Sequence, residues 1–152
     1  MYIVKMIKPN DATVQVWTRL LRLNKIALKR VEGILKKEKL PALSWYDILL
    51  ELERAGAEGL RPYELEEVTL LPQYGVSRIL EKIEKAGYLQ RLTCDDDGRG
   101  QSVVITDAGL KMRQKMWSVY SAAIEEVVGT NLNEAEAATL SGLLKDLISK
   151  QS

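Results

Sequence analysis

The chain has 152 residues, enough for one domain with a buried core, and 46% of them are hydrophobic. Its 22 basic and 21 acidic side chains leave a net charge of +1, so no overall field announces nucleic acid, and the absence of histidine removes the commonest general base and metal ligand. The single cysteine, Cys94, excludes an intrachain disulfide and a cysteine-built zinc site, so neither metal nor cofactor is expected.

The first eight residues carry apolar groups only at Ile3, Val4, Met6 and Ile7 after Met1 and Tyr2, too few for a signal peptide. No later run is apolar enough to span a membrane, so the expectation is a cytoplasmic protein without a membrane partner. From Asp11 to about Lys36, Val14, Trp17, Leu20, Leu21, Leu28, Val31 and Leu35 recur at helical spacing, and Pro41 closes the segment. Ser44 is read as the cap of a second helix, Trp45 to Ala55, with Ile48, Leu49 and Leu52 inward. Pro62 suits the first position of a short third helix reaching Thr69. Pro72 opens a fourth, which Gly87 ends. Leu89–Cys94 and Gln101–Thr106 read as strands around a charged turn. Thr106 caps a long fifth helix to about Val128, and Asn133 with Glu136 starts the last, to about Ser149. The fold class is therefore mainly α with a small β-hairpin.

Charge is unevenly placed. Arg19 to Lys39 is rich in arginine and lysine, and Asp47 to Glu67 is acidic. For most of these groups the simple reading is a solvated helix face. The fourth helix is more specific. Val76, Ile79, Leu80 and Ile83 share one arc, while Tyr74, Ser77, Arg78, Glu81 and Lys85 lie opposite, with Gln73 in the first turn and Lys82 on the same helix. Arginine pairs with guanine edges and glutamine with adenine, while serine or tyrosine reaches phosphate, so this face suits a major groove. In the following hairpin, Asp95-Asp96-Asp97-Gly98-Arg99-Gly100 puts Arg99 at the tip, suited to a narrow minor groove. The aspartates make sense beside such a contact if some pair with Arg91 and Arg99. They also weigh against redox sensing by Cys94, whose thiolate they disfavour.

At these residues the chain resembles the MarR family of bacterial transcription regulators. The family's Asp-x-Arg wing and Thr-(Glu/Asp)-x-Gly motif match Asp97-Gly98-Arg99 and Thr106-Asp107-Ala108-Gly109. Its reading-helix pattern matches Arg78 to Tyr88, and Trp45-Tyr46-Asp47-Ile48-Leu49 looks like its second helix. Arg61-Pro62 stands where the family usually has a Ser or Thr cap. Pro72-Gln73-Tyr74-Gly75 replaces the usual reading-helix start, with Gly75 expected inside the first turn at a cost of about 1 kcal/mol against Ala.

The resemblance implies a winged helix-turn-helix with N- and C-terminal dimerisation helices. Residues 11–36 and 133–149 would form the dimer, 41–106 the DNA-binding core and 107–128 a connecting helix. The implied partners are double-stranded DNA with a pseudo-palindromic operator, a second copy of the chain and a small aromatic or anionic effector that releases a repressor. Expected DNA contacts are Gln73, Tyr74, Ser77, Arg78, Lys82, Arg91 and Arg99. The expected effector pocket has Trp17, Arg22, Trp45, Tyr46 and Met116 on its walls. The alternative is a winged-helix module that binds protein and senses no ligand. An enzyme ranks behind both, because consecutive carboxylates in a turn do not make a two-metal site.

Overall fold

The computed structural model describes residues 7–70, 75–93 and 100–152. Helix α1 spans Asp11–Lys37, and Asn10 Oδ1 caps it by accepting the Thr13 N–H at 2.8 Å. It ends with Lys39 in the left-handed region (φ 59°), and the Leu40 N–H turns back to the Leu35 carbonyl at 2.9 Å.

Helix α2 spans Leu43–Ala55. Ser44 is not its cap. The helix begins one residue earlier, and Ala42 at the boundary offers no side-chain acceptor. A carboxylate from another element fills that place: Glu32 of α1 accepts the Leu43 N–H at 2.6 Å. This tertiary cap satisfies an orphan donor and fixes α2 against α1.

Helix α2 is buried on two sides and separates two cores. On one, Ile48, Leu49 and Leu52 pack with Leu65 of α3 (Pro62–Val68), Leu80 and Ile83 of α4 (Val76–Lys85), and the β-hairpin. On the other, Leu43 and Tyr46 pack with Val31 and Leu35 of α1 and with Met116 and Ala123 of α5 (Asp107–Ile124). Arg113 of α5 also engages Glu53 of α2, with Nη2 3.3 Å from Oε1.

Strands β1 (Leu89–Thr93) and β2 (Gln101–Ile105) pair antiparallel, with Leu89 opposite Ile105 and Thr93 opposite Gln101. Leu60 adds a rung on the far side of β2. Its N–H and carbonyl exchange bonds with Val103 at 3.0 and 2.7 Å. A single bridging residue has no alternating pattern, so the sequence reading had no signal for it. Cys94, expected to end the first strand, lies outside the described residues, as does Pro72 before α4.

Thr106 caps α5 as expected, its Oγ1 accepting the Gly109 N–H at 3.1 Å. The regular α-helix stops at Ile124, short of the expected Val128, and Glu125–Gly129 continues it as a π-turn. Helix α6 (Glu134–Ser149) opens with the reciprocal Asn133–Glu136 box, at 2.8 and 3.1 Å. It buries none of its residues. Leu140, Leu143, Leu147 and Ile148 are exposed along it, as are Val14, Trp17, Leu21 and Leu23 along the N-terminal half of α1.

Candidate nucleic-acid interface

Helix α4 is presented by its own amphipathic pattern. Val76, Leu80 and Ile83 are buried against α2 and α3, which turns Ser77, Arg78, Glu81, Lys82 and Lys85 outward. Gly75 is not in its first turn but is the N-cap, at φ +89°, with its carbonyl accepting the Ile79 N–H at 3.0 Å. At that φ an L side chain is strained, so glycine is required for the entry angle and the expected loss of helix propensity does not apply.

Of the expected DNA contacts, Ser77, Arg78 and Lys82 share this exposed face. Gln73, Tyr74 and Arg99 lie outside the described residues. Arg91 sits half-buried on β1, and its Nε lies 3.3 Å from Glu84 Oε1 of α4. Among the described residues its partner is a glutamate of α4, and the pair braces the root of the wing against that helix, while the wing aspartates expected beside it lie outside the described residues.

Thr106 reinforces the same joint. Besides capping α5, its hydroxyl donates to the Gly87 carbonyl at 2.6 Å, joining the end of α4 to the end of β2. The Thr-Asp-x-Gly motif is therefore a positional device that holds helix and wing in one frame.

Arg61 was not among the expected contacts. It precedes Pro62 at the start of α3, and its backbone N–H donates to Glu64 Oε1 at 3.0 Å, while its own side chain, which carries only donors, leaves the cap role to Glu64. Its guanidinium lies over Gly100 at the start of β2: a Cβ built there would stand 2.6 Å from Arg61 Nη1. Glycine at the root of the wing thus makes the seat for this arginine. A groove of about 650 Å³ runs between Arg61, Tyr63, Arg91, Thr93 and Gln101. Its two arginines flank a surface continuous with the wing. The available signal was Arg61 itself, standing where a small capping residue was expected.

A second concavity, about 650 Å³, lies between α1, α2 and α5 and is lined by Leu28, Tyr46, Asp47, Leu70, Trp117 and Tyr120, among others. Tyr46 is the one expected pocket residue that lines it. Trp17 is 65% exposed on the outer half of α1. Arg22 is also exposed and does not line the space. Trp45 faces the opposite core and meets Tyr88 edge-on at 6.1 Å, because successive residues of α2 point to different sides. Met116 is fully buried in the core formed by α1, α2 and α5. The sequence reading missed Trp117, Tyr120 and Asp47, which long-range packing brings to Tyr46. Burial, then Tyr46 and Asp47, raise the Tyr120 hydroxyl above the ordinary phenol range.

Among the described residues, no helix is long and apolar enough to cross a membrane, and no group of three or more His, Cys, Asp or Glu could hold a metal ion.

The model of the MarR family matches residues 40–100, the segment holding α2, α3, α4 and β1. Multiple antibiotic resistance protein MarR of Escherichia coli strain K12 is 27% identical over 89 residues, 59% of this chain and 62% of that protein. The HTH-type transcriptional regulator PrsX of Escherichia coli is 27% identical over 86 residues, 57% of this chain and 52% of that protein. The chain thus spans a little over half the length of these curated relatives. A MarR family transcriptional regulator from Streptomyces coelicolor, solved in complex with DNA, shares the fold at a TM-score of 0.84 and 20% identity, over 97% of this chain and 94% of its own. A mutant MarR from Escherichia coli, complexed with operator DNA, superposes at a TM-score of 0.76 and 20% identity, over 93% and 99%. These relatives are transcription regulators and not enzymes. Over the matched segment this chain is similar to the MarR family of transcription regulators, and it shares the winged-helix fold of the solved members.

Proposed function

We propose that the chain acts as a homodimeric regulator that binds duplex DNA in a sequence-specific way and is released as a repressor by a small ligand. The observation that carries the DNA reading is the face of α4: Ser77, Arg78 and Lys82 stand outward together on a helix whose other side is locked into the core. Arg78 and Lys82, one turn apart, give that face a positive edge. Arg61 and Arg91 beside the wing root extend it as contacts to the DNA backbone, and Arg99 at the wing tip takes the minor groove. The two DNA complexes among the fold neighbours support the assignment by analogy.

The dimer reading rests on the terminal helices. Leu23 of α1, Val127 and Val128 of the π-turn, and Leu140, Leu144 and Ile148 of α6 line an apolar groove of about 810 Å³. Exposed apolar surface of that extent marks an interface. A two-fold pairing of these helices sets two copies of α4 about one helical turn of DNA apart, which requires a pseudo-palindromic site with half-sites separated by roughly 10 bp. The ligand reading rests on the cavity between α1, α2 and α5, which joins the terminal-helix layer to the winged core. A ligand that favours one spacing of the two reading helices tenfold contributes about 1.4 kcal/mol to the switch.

Sedimentation at micromolar concentration, paired with selection from random duplexes and binding across a salt series, tests the reading. The expected result is a dimer that selects an inverted repeat and loses affinity steeply with salt. A monomer that still binds DNA normally overturns the dimer. No salt-dependent duplex binding overturns the DNA reading in favour of a protein-binding winged helix.

A further inference from the structure

We infer that the outward face of α1 is a second DNA-binding surface, which takes the phosphate backbone of a duplex other than the one lying on α4. The function proposed above uses α1 only through its apolar residues, and this face is separate from them.

On a helical wheel of about 100° per residue, Arg19, Arg22, Lys25, Lys29, Lys36 and Lys37 fall with Arg30 in one arc of roughly 140°. All seven are exposed. The buried residues of the helix, Val31 and Leu35, point the opposite way. Glu32 is the one carboxylate between Arg19 and Lys37; it lies beside the arc, half-buried, and accepts the Leu43 N–H. Arg30 is paired with Glu126 at 2.7 Å. Among the described residues the other six cations have no salt-bridge partner. From Arg19 to Lys37 the helix axis advances about 27 Å, so positive charge recurs along a length that matches a run of phosphates.

Gly33 sits in the middle of this arc, and a Cβ built there would meet nothing within 4 Å. The packing of the chain therefore does not call for glycine, and in a helix interior glycine is less stable than alanine. What it provides is bare backbone at the centre of a cationic face, where a phosphodiester can approach closely.

Two further observations favour a duplex and make it a second one. Ile26 is the one apolar side chain within the arc, too little to enter a bilayer or to anchor a protein partner; the exposed Trp17, Leu21 and Leu23 lie outside it. In addition, α1 belongs to the core on one side of α2 and α4 to the core on the other, so α2 stands between the arc and the reading face. A duplex held on α1 is bound through its charge, without regard to sequence.

The test is a two-colour capture. An immobilised operator duplex, selected from random sequences, is saturated with the full chain and washed free of excess protein. A labelled duplex of unrelated sequence is then added across a salt series. The parent protein is expected to retain the second duplex at low salt and to lose it steeply as salt rises. Lys25→Gln, Lys29→Gln and Lys36→Gln combined are expected to reduce that retention at least roughly tenfold and to leave operator binding within about twofold. Gly33→Ala is expected to raise the thermal midpoint and yet weaken retention severalfold, a pairing that a purely structural glycine does not give. If the operator binds and the second duplex does not, the inference is overturned while the DNA reading stands; if neither binds, both fall. Equal loss of both duplexes in the triple variant makes the arc part of the reading face and overturns a second surface. Retention of phosphatidylserine vesicles instead of the second duplex, lost in the triple variant, overturns it in favour of a membrane surface.

Discussion

The winged half of the molecule and its two terminal helices are both rich in apolar side chains, yet they dispose of them in opposite ways. In the first, Leu49, Leu52, Leu65, Leu80, Ile83 and Val103 come from four separate elements and reach zero exposure within one chain. In the second, α6 buries nothing, Ile148 is 71% exposed, and the facing half of α1 leaves Trp17 and Leu21 open. The difference is that one part covers its apolar side chains within the chain and the other leaves them open. The winged half presents charge because its apolar face is already used. The terminal helices present apolar surface, which on the proposed dimer reading a second copy covers. The α1/α2/α5 cavity lies where these two regimes meet.

The largest expected effect separates the two regions by stability. Leu52→Ala removes a fully buried side chain and is expected to cost about 2–5 kcal/mol, whatever the protein concentration. If Ile148 packs against a second copy, as the proposed dimer requires, Ile148→Ala is expected to have a cost that grows with protein concentration. Denaturant unfolding of both variants over a hundredfold range of concentration reads the contrast. Concentration-independent unfolding of the parent protein and of both variants would break it.

A smaller effect distinguishes two contacts within the DNA-binding half. Arg78→Ala is expected to lose on the order of 1–3 kcal/mol of discrimination between operator and altered sites, if the side chain meets a base. Arg99→Ala is expected to weaken binding to most sequences alike, since a wing arginine reads groove width. Competition binding with single-base operator variants separates them, and equal discrimination in the Arg78 variant and the parent would remove the base-contact role.

The smallest effect concerns Arg61. If its guanidinium, seated on Gly100, meets a phosphate, Arg61→Ala lowers the slope of log affinity against log salt by about 1 and leaves sequence preference intact. An unchanged slope would make Arg61 a packing residue of the wing root only.

Much of this architecture is local chemistry and therefore legible in the sequence. Asn133 with Glu136, Thr106 ahead of Gly109, Pro62 at a first helical position and the period of Val76, Leu80 and Ile83 each fix an element through neighbours a few residues away. The same period decides which face of α4 looks outward, so Ser77, Arg78 and Lys82 could be named without a structure. What the sequence did not reveal depends on residues far apart in the chain. Glu32 caps α2 in place of Ser44, Leu60 joins β2 by a single bridge, and Arg61 finds Gly100. Trp17 and Trp45 look equivalent to Tyr46 as aromatic residues on the first two helices. Only packing decides that Trp45 turns to one core, Trp17 stays outside, and Tyr46 meets Trp117, Tyr120 and Asp47. Helical periodicity fixes a side chain's direction about its own axis. The neighbour it meets is set by how the axes cross, and that is decided by the cores on the two sides of α2.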